Sequence, residues 1–112
     1  MTAPDLANAL ARVRALLGEC SAFKLQLFCE VAASGDHGIE QLALAIRLGA
    51  LKQTTSAVLR DLTTVDHRGR PGPGYVQIEV NPDDRRSNIV RLTDAGKVLA
   101  GELFGARTDG AA

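Results

Sequence analysis

Residues 44–62, LAIRLGALKQTTSAVLRDL, decide how this chain is read. Leu44, Ala45 and Leu48 recur at helical spacing, Gly49 interrupts them, and a second helical stripe of Thr55, Val58, Leu59 and Leu62 begins a few residues later. The pattern predicts a helix, a tight turn and a second helix. With Lys52 as origin and about 100° added per residue, Thr55, Val58, Leu59 and Leu62 share one sector. Gln53, Ser56, Ala57, Arg60 and Thr64 fall opposite. The second helix should bury one side and present amides, hydroxyls, a methyl and a guanidinium on the other, the groups that read base edges in a major groove. An amphipathic helix with a polar outer face is also an ordinary packing element, so the flanking sequence has to separate the two readings.

Composition narrows the field. A chain of 112 residues with 46% hydrophobic content suits one domain that buries its core without metal or disulfide support. With no Trp, one Tyr and three Phe, that core has to be Leu, Val, Ile and Ala. The formal net charge of zero excludes a protein coated in positive charge but not a local patch. Residues 52–92 carry seven cations (Lys52, Arg60, Arg68, Arg70, Arg85, Arg86, Arg91) against five acids, whereas residues 1–51 carry four against five. The basic excess coincides with the stretch that would face DNA.

Cys20 and Cys29 stand nine residues apart. On one helix a rise of about 1.5 Å per residue separates them by roughly 13 Å, beyond the ~7 Å that a disulfide spans between Cα atoms, so both read as free thiols. His37 and His67 match no zinc spacing and read as surface imidazoles, with no metal and no cofactor implied. No signal peptide and no apolar run of membrane-spanning length is evident, which points to a cytoplasmic protein with no membrane partner.

In chain order, MTAPDLANALARVRALLGE has a stripe of Leu6, Leu10, Val13 and Leu17, with Pro4 suited to a first turn and Gly18 to a stop. This terminal helix, within residues 1–18, could pack on its own domain or against a second copy. Ser21 opens a second helix with Phe23, Leu27, Phe28 and Val31 on its apolar side, ended by residues 34–38. A third helix is expected over Ile39–Leu48 and the fourth from Lys52 to about Val65. Residues 66–74, DHRGRPGPG, hold three Gly and two Pro and must form a loop carrying Arg68 and Arg70.

Beyond the loop, Tyr75, Val76, Ile78 and Val80 form one β-rich run and Ile89, Val90 and Leu92 another, with the polar stretch 81–88, NPDDRRSN, between them. A charged hairpin tip is often only a solvated turn. After a helix-turn-helix pair it reads as a wing, whose Arg85 or Arg86 would lie along phosphates or enter a minor groove. Thr93 then caps a last helix over residues 93–104, with Asp94 favourably placed in its first turn. Residues 105–112 read as a frayed tail.

The order of helices, the pair Leu44-Ala45-x-x-Leu48-Gly49 followed by Thr54, Ser56, Leu59 and Leu62, and the segment NPDDRRSNIVRLTDAG resemble the MarR family of winged-helix transcriptional regulators over residues 39–104. Asp84, Arg86, Leu92, Thr93 and Gly96 match the family's wing signature. The resemblance implies recognition-helix contacts from Gln53, Thr54, Ser56, Ala57 and Arg60, a minor-groove role for Arg86, and a wing-shaping role for Asp84. Lys52, Arg68, Arg70, Arg85 and Arg91 would mainly position phosphates. Two departures stand out: Leu51 occupies the usual Ser or Thr cap position, and the 66–73 loop exceeds the family's short link. Family members carry longer terminal helices that dimerise and enclose an effector pocket; whether an effector exists here is left open.

The sequence therefore predicts an α+β winged helix-turn-helix protein, mostly helical with a β-hairpin wing, the helix-turn-helix and wing together spanning residues 39–92. Its expected function is sequence-specific, homodimeric regulation of transcription on double-stranded DNA, with a palindromic operator. The alternatives are a winged-helix protein-interaction module and a thiol-based redox sensor using Cys20 or Cys29. No Ser/His/Asp set, paired acids or phosphate loop suggests an enzyme.

Overall fold

The computed structural model describes residues 1–66 and 68–104. The reading of His67 and the tail expected from residue 105 onward lie outside them. In chain order the elements are α1 (Ala3–Leu16), α2 (Ala22–Ala33), a single 3-10 turn at Gly35–His37, β1 (Ile39–Glu40), α3 (Gln41–Leu48), α4 (Lys52–Asp61), β2 (Val76–Asn81), β3 (Asp84–Leu92) and α5 (Asp94–Phe104).

Side chains set most of the helix starts. Thr2 and Asp5 form a reciprocal capping box at α1, the Thr2 hydroxyl accepting from the Asp5 N–H and the Asp5 carboxylate from the Thr2 N–H, each at 3.2 Å. The Ser21 hydroxyl accepts from the Lys24 N–H at 3.0 Å and starts α2. Gly49 closes α3 in the left-handed region at φ 63°, and the Ala50 N–H returns to the Ala45 carbonyl at 3.0 Å, which turns the chain into α4 within three residues.

Two helix limits differ from expectation. Helix three does not begin at Ile39: Ile39 and Glu40 are extended and pair antiparallel with Val90 and Ile89, making β1 the third strand of a sheet ordered β1-β3-β2. Gly38 leads into that strand at φ 75°, where a Cβ would stand 2.7 Å from the Val90 carbonyl oxygen. Helix four stops at Asp61 rather than near Val65, so Thr64 lies beyond it and not on its polar face. The backbone of 62–64 bonds to the returning loop instead: the Leu62 carbonyl accepts from Tyr75 and Val76, that of Thr63 from Gly74 and that of Thr64 from Gly72.

Every helix and both long strands contribute to one core, built from Val13, Leu27, Phe28, Val31, Leu44, Leu59, Leu62, Val76, Val90, Leu99 and Leu103. Phe28 sits fully buried at its centre, edge-on to Tyr75 with ring centroids 6.4 Å apart. Truncating such a ring to Ala costs about 3–5 kcal/mol. This core fixes α4, whose Thr55 and Leu59 are buried, and leaves Lys52, Gln53 and Arg60 on the opposite side of that helix exposed.

Candidate nucleic-acid interface

Leu51 is the N-cap of α4 and gives it no side-chain hydrogen bond. The start of the helix is held from within, by the Thr55 hydroxyl donating to the Leu51 carbonyl at 3.0 Å. Burial of Thr55 and Leu59 turns Lys52, Gln53, Ser56, Ala57 and Arg60 outward, where they line one open depression along the helix. Thr54 is exposed beside them.

The wing is tighter than the sequence suggests. Its turn is only Pro82 and Asp83, and β3 already begins at Asp84, so Arg85 and Arg86 belong to a strand rather than to a loop over 81–88. The pairing jumps from Val80↔Asn88 to Asn81↔Asp84, which leaves Arg85, Arg86 and Ser87 outside the ladder, with Ser87 held to β2 by its hydroxyl, which accepts from Asn81 Nδ2 at 3.2 Å. Asp84 organises this irregular corner. Its carboxylate accepts from the Arg86 N–H at 3.0 Å and from Arg86 Nε at 3.4 Å, and its carbonyl accepts from the Ser87 hydroxyl at 3.2 Å. The Arg86 side chain is 93% exposed, so this ion pair contributes little to stability and leaves the guanidinium open to another anion.

Between the wing and the start of α4 runs a second groove, lined by Gln41, Leu42, Lys52, Asp84, Arg86 and Asn88 among others. Lys52 lines both depressions, so the outer face of α4 and the wing form neighbouring parts of one surface. Gln41 is the residue that the sequence reading missed. It is 8% exposed, its amide donates to the Ser56 hydroxyl, and its carbonyl accepts from Asn88 Nδ2 at 3.4 Å. The signal was available, since Gln41 occupies the helical stripe of Leu44, Ala45 and Leu48 as its one polar member.

The remaining cations are placed differently. Arg68 and Arg70 line neither depression. They shape their own loop around Asp66, whose carboxylate accepts from the Arg70 N–H at 2.8 Å and the Arg68 N–H at 2.9 Å and pairs with Arg70 Nε at 3.3 Å. These bonds, the Arg70 N–H foremost, hold the Asp66 carboxyl below its ordinary range. Arg91 is engaged within the fold, with Nη2 3.0 Å from Glu79 and Nη1 donating to the Asp36 carbonyl at 3.1 Å.

Cys20 and Cys29 are free and half-buried. Burial and then the neighbouring Glu30 carboxylate push the Cys29 thiol up, away from the reactive thiolate. Cys29 lines an apolar cavity between α2 and α5 with Ala32, Leu92, Ala100 and Phe104, and Lys97 and Asp36 also contribute to its lining. Among the described residues no three His, Cys, Asp or Glu side chains gather as a metal site requires, and no helix is long and apolar enough to cross a membrane.

No family model and no curated protein matches this chain. Solved structures do match it. A mutant of MepR from S. aureus bound to an oligodeoxyribonucleotide superposes with a TM-score of 0.69 at 20% identity, covering 94% of this chain and 68% of that one. The transcriptional regulator Tm0710 from Thermotoga maritima gives 0.66 at 16% identity over 95% and 69%. MarR gives 0.62 at 20% identity over 90% and 71%. At these identities the likeness is one of fold: the chain has the α+β winged helix-turn-helix fold of the MarR-type regulators.

Proposed function

We propose that this winged helix is a sequence-specific DNA-binding transcriptional regulator, with α4 entering the major groove and the wing lying at the adjacent minor groove or phosphates. The observation that carries the reading is the shared surface. One side of α4 is anchored in the core, and the other presents Lys52, Gln53, Ser56, Ala57 and Arg60 next to the exposed Arg86. Arg60 and Gln53 have the bidentate chemistry that distinguishes guanine and adenine edges. Thr54 joins them as a recognition-helix contact, Lys52 and Arg85 supply phosphate contacts, and Asp84 shapes the wing for Arg86. Arg68 and Arg70 contribute at most by charge from their loop. The oligodeoxyribonucleotide in the MepR structure supports the same assignment by likeness of fold.

The protein acts as a homodimer on a palindromic operator in this reading. Leu6 and Leu10 on α1 remain 46% and 41% exposed although α1 packs on α5, an apolar strip that a second copy would cover. Two recognition helices would then meet half-sites about 34 Å apart. The reading is of a cytoplasmic, non-enzymatic protein.

One observation favours a protein-interaction module instead: Leu42 and Ile46, one turn apart on α3, and Leu51 at the start of α4 are exposed. Salt separates the two. A DNA reader loses affinity linearly in log salt through counterion release, so the test is titration of the protein against a duplex selected from a randomised pool at several salt concentrations. A steep negative slope supports the regulator; absence of any binding at low salt overturns it. At Cys29 the redox-sensor alternative is disfavoured, because burial and the Glu30 carboxylate push that thiol up.

A further inference from the structure

Three elements meet at Gln41. It opens α3, the helix that packs on both α4 and β3, and it follows directly on β1. Its side chain is nearly sealed from solvent, yet both ends of the amide are used: Nε2 on the Ser56 hydroxyl of α4 and Oε1 on Asn88 of the wing strand. An amide buried this deeply costs free energy unless both ends are bonded, so it tolerates few alternative arrangements of its partners. Ser56 in turn lines the outer depression of α4, and Asn88 lines the groove that Arg86 also lines.

We infer that Gln41 is a positioning residue that fixes the separation of the recognition helix and the wing, and through it the discrimination between DNA sequences. Although Gln41 lines the groove beside the wing, it is only 8% exposed and both ends of its amide are taken by Ser56 and Asn88. It acts by holding Ser56 and the wing strand in one register, so that base contacts from α4 and groove contacts from Arg86 are made together on the same site. A duplex whose edges fit α4 but whose groove shape does not fit the wing is then penalised, because neither element moves independently. The inference rests on the DNA-binding reading above.

The test compares binding of a duplex selected by the parent protein from a randomised pool with binding of a shuffled duplex of the same composition. The parent should prefer the selected duplex by on the order of a thousandfold or more. Gln41→Met, of similar volume without the amide, should lower that ratio about tenfold, the scale of one to two lost hydrogen bonds, while leaving affinity for the shuffled duplex in place. Gln41→Met combined with Ser56→Ala should be no worse than the lower of the two single changes, because the pair acts as one unit. If Gln41→Met does not fold, Asn88→Ala, on a half-exposed strand position, cuts the same link and should lower the ratio alike. An unchanged ratio, an equal loss on both duplexes, or losses that multiply in the double variant would overturn the inference. A parent that binds neither duplex overturns the DNA-binding reading itself, which is a different result.

Discussion

The Thr93 hydroxyl donates to the Gly74 carbonyl oxygen at 2.6 Å while accepting from the Gly96 N–H at 3.1 Å. One side chain thus caps α5 and ties it to the point where the long loop re-enters the sheet. The Thr93 N–H also donates to the Tyr75 carbonyl at 3.1 Å, so the last helix is seated on the base of the wing through backbone contact.

That seating leaves no room at Gly96. A Cβ there would stand 2.0 Å from the Tyr75 carbonyl oxygen, whereas one at Gly101 in the same helix meets nothing within 4 Å. Gly96→Ala should destabilise by at least about 1–3 kcal/mol, as overpacking does, and Gly101→Ala should stabilise by roughly 0.5–1 kcal/mol, as expected inside a helix. Urea denaturation of both variants checks the contrast. Equal effects would mean that α5 is not held against Tyr75.

Arg60 and Arg86 should differ in kind. Arg60→Ala should cost about 1–3 kcal/mol on the selected duplex and relax preference at one position of each half-site. Arg86→Ala should weaken selected and shuffled duplexes alike and reduce the salt slope by about 1 for each copy bound. Titrations on matched and mismatched duplexes at two salt concentrations separate them. If Arg60→Ala binds every duplex as the parent does, α4 is not in the groove.

The loop over 66–74 should be sensitive to acid. The Asp66 carboxyl is held below its ordinary value of 3.8 by the Arg70 and Arg68 N–H groups and the Arg70 guanidinium. A depressed folded-state value stabilises the loop above the unfolded value, and that contribution is lost as pH falls from there through the folded one. Amide exchange at Arg68 and Arg70 should therefore gain protection with rising pH across the acid range, relative to intrinsic rates. Asp66→Asn should remove the dependence. Protection that does not change with pH in the parent would refute this role.

The exposed Leu6 and Leu10 predict a dimer. Light scattering at micromolar concentration should give about twice the 11.8 kDa chain mass, and Leu10→Asp should return it to one chain without loss of helical circular dichroism. A monomeric parent that remains monomeric on DNA would refute the dimer.

Much of this architecture was legible in local sequence. Gly49 between two helical stripes located the turn, Ser21 and Thr93 located helix starts, and the alternation around 76–80 and 89–92 located the hairpin, because capping, left-handed φ and side-chain period are properties of a few consecutive residues. The outward face of α4 followed for the same reason: once Thr55 and Leu59 go inside, helical geometry sends Ser56 and Arg60 out.

Tertiary structure decided what depends on distant partners. Ile39 and Glu40 continue a helical pattern in sequence, yet they become a strand because β3 offers unpaired backbone groups beside them. The fourth helix ends at Asp61 because the chain returns from residue 72 onward to bond to the carbonyls of 62–64. Arg85 and Arg86 moved from a loop into an irregular strand because the β2–β3 register jumps at Val80 and Asn81. Gln41 is the clearest case: its partners Ser56 and Asn88 lie 15 and 47 residues away, and a hydrogen bond across such separations exists only once the core has brought α3, α4 and the wing together.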